Sequence, residues 1–333
     1  MSTVADMETP FPATSGAPPD GHRPVLLHPL IESLQPRPGQ VFVDGTLGAG
    51  GVTAALLERV RPGGRVIAID RDPAALAGAR RRFASAGDSL LLVHGDFADL
   101  TEHLGGLRIP AVDGVTLDLG ISSLQLDDPA RGFGFRHDGP LDMRMDPTAG
   151  TLTAADLVNG WDEPELTALI RRYGEERFAR GIAAAIVRAR RDHPLTTTGE
   201  LRETVERAVP RRYWPKRIHP ATKTFQALRI EVNHELESLE RGLQAAIDAL
   251  RPGGRVGVIA FHSLEDTLVK NALHVAALNC VCPPQQPICT CAHRATLFLH
   301  TRKAIKADAA ELAVNPRARS ARLRVAERLD TGL

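Results

Sequence analysis

The chain has 333 residues with 41 basic and 40 acidic side chains, a formal charge of +1 that excludes a uniformly basic nucleic-acid binder but permits local patches. No apolar run approaches the roughly 18 residues of a transmembrane helix, which points away from membranes and towards a cytoplasmic enzyme. At roughly 100 to 200 residues per domain, the length argues for two structural units.

Residues 1–21, rich in Pro, Ala, Ser, Thr and Gly, lack the basic start and apolar middle of a signal peptide and are expected to form a disordered tail. A short apolar helix ending near Gln35 comes next. Strand Val41 to Asp44 then breaks into four glycines, Gly45, Gly48, Gly50 and Gly51, before a helical run from Val52 to Val60. A strand, a glycine turn and a helix N-terminus let a ligand approach the main chain. The same signal also arises from turns that bind nothing.

A second strand, Val66 to Asp70, ends in an acid twenty positions beyond Gly50, the separation at which a doubly wound sheet offers a carboxylate to ribose hydroxyls. Asp72 before Pro73 is better suited to cap the next helix. A third strand, Leu90 to His94, leads to Phe97, placed to lie against a purine ring or to join the core. A fourth, Gly114 to Asp118, opens into the polar run Asp118 to Asp128 at the edge where the glycine loop also emerges.

From Ala154 to Val209 the apolar residues follow helical spacing, and Arg171, Arg172, Arg177, Arg180, Arg188, Arg190, Arg191, Arg211, Arg212, Lys216 and Arg217 outnumber the acids. About 130 residues separate the fourth strand from the fifth, far too many for a simple connection. An inserted helical subdomain over 136–222 is expected, flanked by 22–135 and 223–333 as one sheet domain. One long amphipathic helix, Lys223 to Leu250, is expected to return to the sheet, followed by a strand from Arg255 to Phe261 and a helix opened by His262-Ser-Leu-Glu-Asp266. Ala295 to Phe298 and Ser320 to Ala326 are expected as the last strands, with an antiparallel edge pair. Lys303, Lys306, Arg317 and Arg319 between them form a basic strip.

Cys280, Cys282, Cys289 and Cys291 lie on either side of Pro283-Pro-Gln-Gln-Pro287. A hairpin through that segment would gather four thiols, a set suited to tetrahedral zinc, although one intervening residue is fewer than zinc knuckles usually have. Free reduced thiols rank ahead of zinc, and a disulfide ranks last in a reducing compartment.

Several longer words carry a family resemblance: Val43-Asp-Gly-Thr-Leu-Gly-Ala-Gly-Gly51, Ala68-Ile-Asp-Arg-Asp-Pro73, Asp118-Leu-Gly-Ile-Ser-Ser-Leu-Gln-Leu-Asp127, Gly139-Pro-Leu-Asp-Met-Arg-Met145, Tyr173-Gly-Glu-Glu-Arg177, Phe225-Gln-Ala-Leu-Arg-Ile230 and Ala260-Phe-His-Ser-Leu-Glu-Asp266. In these words, over about His22 to Arg328, the chain resembles the RsmH (MraW) family. That family methylates the exocyclic N4 of a cytidine in the decoding centre (P site) of 16S rRNA with S-adenosylmethionine.

The resemblance implies an α/β Rossmann-like class I methyltransferase sheet with an inserted helical subdomain. It implies cofactor contacts at Gly50, Gly51, Val52, Asp70, Phe97, Asp118 and Gln125, and no metal. Val52 stands where the family commonly carries His, so only a backbone contact carries over there. Lys223, Arg229 and His262 are the substrate-side candidates; no residue is assigned as catalytic. Phe133, Phe135, Trp161 and Trp214 are the candidates to stack on the target base. The expected partner is 16S rRNA, within the small ribosomal subunit; a homodimer is left open. A nicotinamide-dependent oxidoreductase, which would share the glycine loop and Asp70, and a non-catalytic RNA-binding assembly factor are the rival readings.

Overall fold

The computed structural model describes residues 24–283, 285–286 and 288–330, so the expected tail 1–21 lies outside the described residues. Seven strands form one sheet: β1 (Val41–Asp44), β2 (Arg65–Asp70), β3 (Leu90–His94), β4 (Val112–Asp118), β5 (Leu250–Ala260), β6 (Leu297–Leu299) and β7 (Arg322–Arg328). Their order is β3-β2-β1-β4-β5-β7-β6. The first five run parallel, and β7 is antiparallel to both β5 and β6, the edge pair expected from the sequence.

Alternation along the strands decides which face each residue serves. In β2, Ile67 and Ile69 enter a core shared with Leu239, Leu243, Val269 and Leu273 from the helices Glu235–Ala249 and Ser263–Ala276. Val66 points the other way, to Leu30, Leu56 and Val60 from the helices Leu27–Leu34 and Gly51–Val60. Helices therefore cover both faces, as a parallel sheet requires. Because successive connections wind in opposite directions from β1 and β4, a crevice opens at the carboxyl ends of these two strands.

The expected single helix over Lys223 to Leu250 is two, Thr222–Val232 and Glu235–Ala249. The break is at Asn233 and His234, the latter at φ 50°. Asn233 is held there by both its amide groups: Nδ2 donates to the Met143 carbonyl at 2.8 Å, and Oδ1 accepts from the Met145 amide at 2.7 Å. Those bonds fix the joint between the helical unit and the sheet.

The helices Ala154–Gly160, Glu163–Gly174, Ala179–Ala189 and Thr198–Ala208 enclose a core of their own, built on Leu157, Leu166, Ile170, Ile182, Ile186 and Leu201. Phe133, Phe225, Leu228 and Val232 belong to the same core. The division expected at 222/223 thus falls where packing is continuous, because the apolar face of Thr222–Val232 is turned to the helical unit. Trp161, Phe135 and Trp214 pack on that core as well, Phe135 edge-on to Phe225 with ring centroids 4.7 Å apart. Among the described residues no helix is long and apolar enough to cross a membrane.

Candidate active site

The glycine loop is shaped by the sheet on either side of it. After β1, the Gly45 amide donates to the Thr116 carbonyl of β4 at 2.9 Å, and the Leu47 amide donates to the Ile69 carbonyl of β2 at 2.9 Å. The loop therefore straddles the crevice. Gly48, at φ +51°, then aims its amide at the Asp70 Oδ2, 2.8 Å away, while Oδ1 accepts from the Asp72 amide at 2.8 Å. Burial drives the Asp70 pKa up to about 6 in spite of these two donors.

A cleft of roughly 1300 Å³, counted to its open mouth, is lined by Gly51, Val52, Asp70, Phe97, Asp118 and Gln125, among others. Six of the seven expected cofactor contacts therefore share one cavity. Gly50 does not line it: it is the residue before the helix Gly51–Val60, at φ 77°, and a Cβ there would meet the Phe83 ring at 2.7 Å. Its conformation makes the turn; its surface faces away. Val52 is buried among Val25, Leu56 and Leu57, so its side chain contributes to packing. Asp72 is the expected helix cap, accepting from the Ala74 amide at 2.9 Å.

Gln125 has a positional role visible in its bonds. Its Oε1 accepts from the Ser122 amide at 3.0 Å, closing a capping box, and its Nε2 donates to Asp72 Oδ2 at 2.9 Å. Arg131 donates to the same oxygen at 2.7 Å. The polar run after β4 is thereby tied to the start of the helix after β2, on the far wall of the cleft.

Asp118 ends β4 with its amide donating to Thr46 Oγ1 at 2.7 Å. Its own Oδ1 is shut off from solvent and has no hydrogen-bond partner within the described residues. Burial, reinforced by the charges of Asp44 and Glu265, raises its pKa to about 8. Asp44 is itself enclosed, accepting from Thr53 Oγ1 at 2.6 Å and from the Thr46 amide at 3.3 Å, and burial raises its pKa as well. A buried acceptor with no donor is expensive unless a ligand supplies one.

Of the three substrate-side candidates, none lines the cleft. Arg229 is sequestered in a two-toothed ion pair with Glu235, Nε to Oε1 at 2.7 Å and Nη2 to Oε2 at 2.8 Å. His262 is the N-cap of Ser263–Ala276, its Nδ1 accepting from the Glu265 amide at 3.4 Å and its Nε2 lying 3.1 Å from Glu265 Oε1. Lys223 donates to the Glu175 carbonyl at 2.8 Å on the exterior. Burial opposes ionisation of Glu265, but the His262 ring, the Arg229 charge and the Phe261 amide outweigh it and hold its pKa below the ordinary range. The histidine and arginine thus keep a cleft carboxylate ionised without entering the cleft.

Sequence reading missed Glu235, Ser238, Phe261 and Glu265, which line the cleft, and left Arg317, which lines it too, in the basic strip. It also missed the network behind Phe97, where Asp96 accepts from Ser238 Oγ at 2.7 Å and pairs with Arg71. Arg71 reaches on to the Asn233 carbonyl at 2.8 Å. The clue available was that Arg71 and Asp96 each follow the last residues of neighbouring strands.

Residues 20–329 match the MraW methylase family. The chain belongs to that family. A ribosomal RNA small subunit methyltransferase H from Syntrophotalea carbinolica is 52% identical over 308 residues, covering 92% of this chain and 98% of that protein. The protein of the same name from Geobacter sulfurreducens is also 52% identical, covering 92% and 99%. Among solved structures, an rRNA methylase from Streptococcus thermophilus aligns over 90% of this chain and 92% of its own, at 11% identity and a TM-score of 0.39.

The methyl donor of the MraW family is S-adenosylmethionine, and the residues present suit it. Asp70 offers an acceptor to ribose hydroxyls, Phe97 an apolar ring to adenine, and the glycine loop its main chain to the amino-acid part. Asp70, Asp118 and Glu265 place three carboxyl groups along a cleft meant for a sulfonium cation.

Proposed function

We propose that the chain methylates the exocyclic N4 of a cytidine in the decoding centre (P site) of 16S rRNA, acting on the small ribosomal subunit in the cytoplasm. The observation that carries the chemistry is the carboxyl of Asp118, a residue of the cleft wall whose enclosed Oδ1 has no hydrogen-bond partner among the described residues. An exocyclic amine brings the two N–H donors that such an acceptor lacks. The N4 identity and the decoding-centre target rest on the family words quoted above; a small-subunit ribosomal RNA is what the names of the 52%-identical relatives supply.

When bound, S-adenosylmethionine supplies a methyl group on a positively charged sulfur. The protein's part is alignment, hydrogen bonding and proton acceptance. Asp118 orients the amine through an N–H···O bond to its carboxyl group, which aims the nitrogen lone pair along the cleft. Holding reactants at about 3 to 3.5 Å in line supplies roughly 7 to 11 kcal/mol of the barrier. As the nitrogen gains its methyl it must lose one proton, and the Asp118 carboxyl is the acceptor within the wall. A cationic ligand nearby favours the ionised carboxylate, so a group with a pKa of about 8 in the free protein becomes a competent base near neutrality.

RNA affinity comes from the helical unit. The segment from Pro210 to Ile218 is exposed almost throughout and carries Arg211, Arg212, Lys216 and Arg217. Arg211 lies over the Trp214 ring at 5.5 Å, and Arg212 over the Tyr213 ring at 4.8 Å. These contacts steady the guanidinium groups while leaving them open to phosphate.

The test is transfer of labelled methyl to small subunits and to naked 16S rRNA, followed by nucleoside analysis. N4-methylcytidine at one position is the expected product. Its absence from both substrates, or a methyl group on another atom, would sink the reading.

A further inference from the structure

We propose that Cys280, Cys282, Cys289 and Cys291 form a four-thiolate zinc site that staples the segment joining the helix Ser263–Ala276 to β6. The resemblance implies no metal here, and the methyl-transfer chemistry does not use these residues. The inference therefore stands independently of the proposed function.

The separations between sulfurs are the first argument. Cys280 and Cys289 Sγ are 3.4 Å apart, Cys289 and Cys291 3.5 Å, Cys280 and Cys291 3.8 Å, and Cys282 and Cys289 4.0 Å. All four sulfurs lie within 4.8 Å of one another. A zinc ion bonded to four sulfurs at about 2.3 Å sets them about 3.8 Å apart at the corners of a tetrahedron. The observed spacings straddle that value. A disulfide would instead bring one pair to about 2.05 Å and leave the others without a reason to converge.

Amide groups supply the second argument. The Val281 amide donates to Cys291 Sγ at 3.4 Å, and the Cys282 amide donates to Cys280 Sγ at 3.4 Å. Donors turned towards sulfur stabilise the anionic thiolates that a metal needs, the outer-shell support found around bound ions.

The third argument is what the segment lacks. Among the described residues no helix or strand lies between Ala276 and Leu297. Val281 is 45% and Ile288 73% exposed, Leu278 is half-buried, and none of the segment's described residues belongs to an apolar core. Free cysteine is ordinarily among the most buried residue types, yet here all four are exposed or half-buried. Four thiols converging on a surface without a core is what a metal-held loop looks like, since in such loops the ligand bonds replace the core. With one residue between the ligands of each pair, the two thiols share a side of an extended backbone, and the two pairs close on each other.

The full chain, purified under reducing conditions without chelator or metal-affinity chromatography, is analysed for metal. About one zinc per chain is expected, falling below about 0.2 in Cys289→Ser, because a closed site fills stoichiometrically. Should that variant not fold, the wild-type protein stripped of metal and reloaded with cobalt(II) decides the matter: the strong visible absorption of tetrahedral cobalt thiolate is expected, titrating to one equivalent. Stripped protein should also be cut within 280–291 at least tenfold faster by a protease, with its affinity for the methyl donor unchanged. Less than about 0.2 zinc in the wild type, iron in place of zinc, or two disulfides by thiol titration would each overturn the proposal.

Discussion

The amide of Gly48 donates to the Asp70 carboxylate across 2.8 Å, joining the loop after β1 to the acid that ends β2. One side chain thus fixes the ligand-facing backbone and lines the cleft itself. The Asp70→Ala protein should bind S-adenosylmethionine or its demethylated product about 1.5 to 3 kcal/mol more weakly, the scale of losing hydrogen bonds to a charged group. Titration calorimetry measures this directly. An unchanged dissociation constant would remove Asp70 from the site.

Asp118 governs a pH dependence whose sign follows from its raised pKa. In the unfolded chain its carboxyl ionises near 3.8, and in the folded protein only near 8. Between these values the folded state holds a proton that the unfolded state has lost, so its contribution to stability falls as pH rises, by up to about 1.4 kcal/mol per unit. Asp118→Asn should therefore unfold at higher urea than the wild type at pH 8, with the gap closing towards pH 4. The same variant should lose roughly 10²- to 10⁴-fold in kcat, the range for a general base, with methyl-donor affinity less affected. A variant no more stable at pH 8, or one with full kcat, would contradict this account.

Gly242 lies in the helix behind Phe97, and a Cβ added there would sit 2.2 Å from Cδ2 of the Phe97 ring. Gly242→Ala must push that ring towards the cleft. Overpacking of this kind costs about 1 to 3 kcal/mol, and the displaced ring should weaken methyl-donor binding by at least tenfold. Denaturant unfolding and calorimetry separate the two effects; unaltered binding would show that Phe97 does not shape the adenine end.

Neutralising Arg211, Arg212, Lys216 and Arg217 together tests the RNA face. Each phosphate contact to single-stranded RNA contributes about 0.7 to the slope of log affinity against log salt. A reduction of about 2 to 3 in that slope is expected on 16S rRNA, with S-adenosylmethionine binding unaltered. A slope equal to that of the wild type would place the RNA elsewhere.

The glycine loop, Asp70, Asp72 and the strand sequence up to Asp118 were legible because each depends on residues close in the chain. A turn favours glycine where φ is positive, and a cap needs a side-chain acceptor beside the first amides of its helix. The substrate-side candidates lie outside the cleft for a non-local reason. Arg229 looked free because Glu235 lies beyond a break that helical periodicity does not reveal, since Asn233 makes that break with hydrogen bonds to Met143 and Met145, about ninety residues earlier in the chain. Phe133 is buried in the helical unit's core and Phe135, Trp161 and Trp214 pack against it half-buried, while Phe261, after β5, lines the cleft together with Phe97.

By itself the sequence determined the αβ alternation, the glycine loop, the acid at the end of β2 and the family words, because local backbone geometry and periodicity are written in neighbouring residues. The tertiary structure decided that Gly50 turns its back on the cleft while Gly51 lines it. It decided that Asp118 Oδ1 is left without a hydrogen-bond partner among the described residues, under the charges of Asp44 and Glu265, and that four thiols meet on a surface without a core. Those outcomes depend on which strands become neighbours and how far each helix is turned. Burial and charge then act between residues that are distant in the chain.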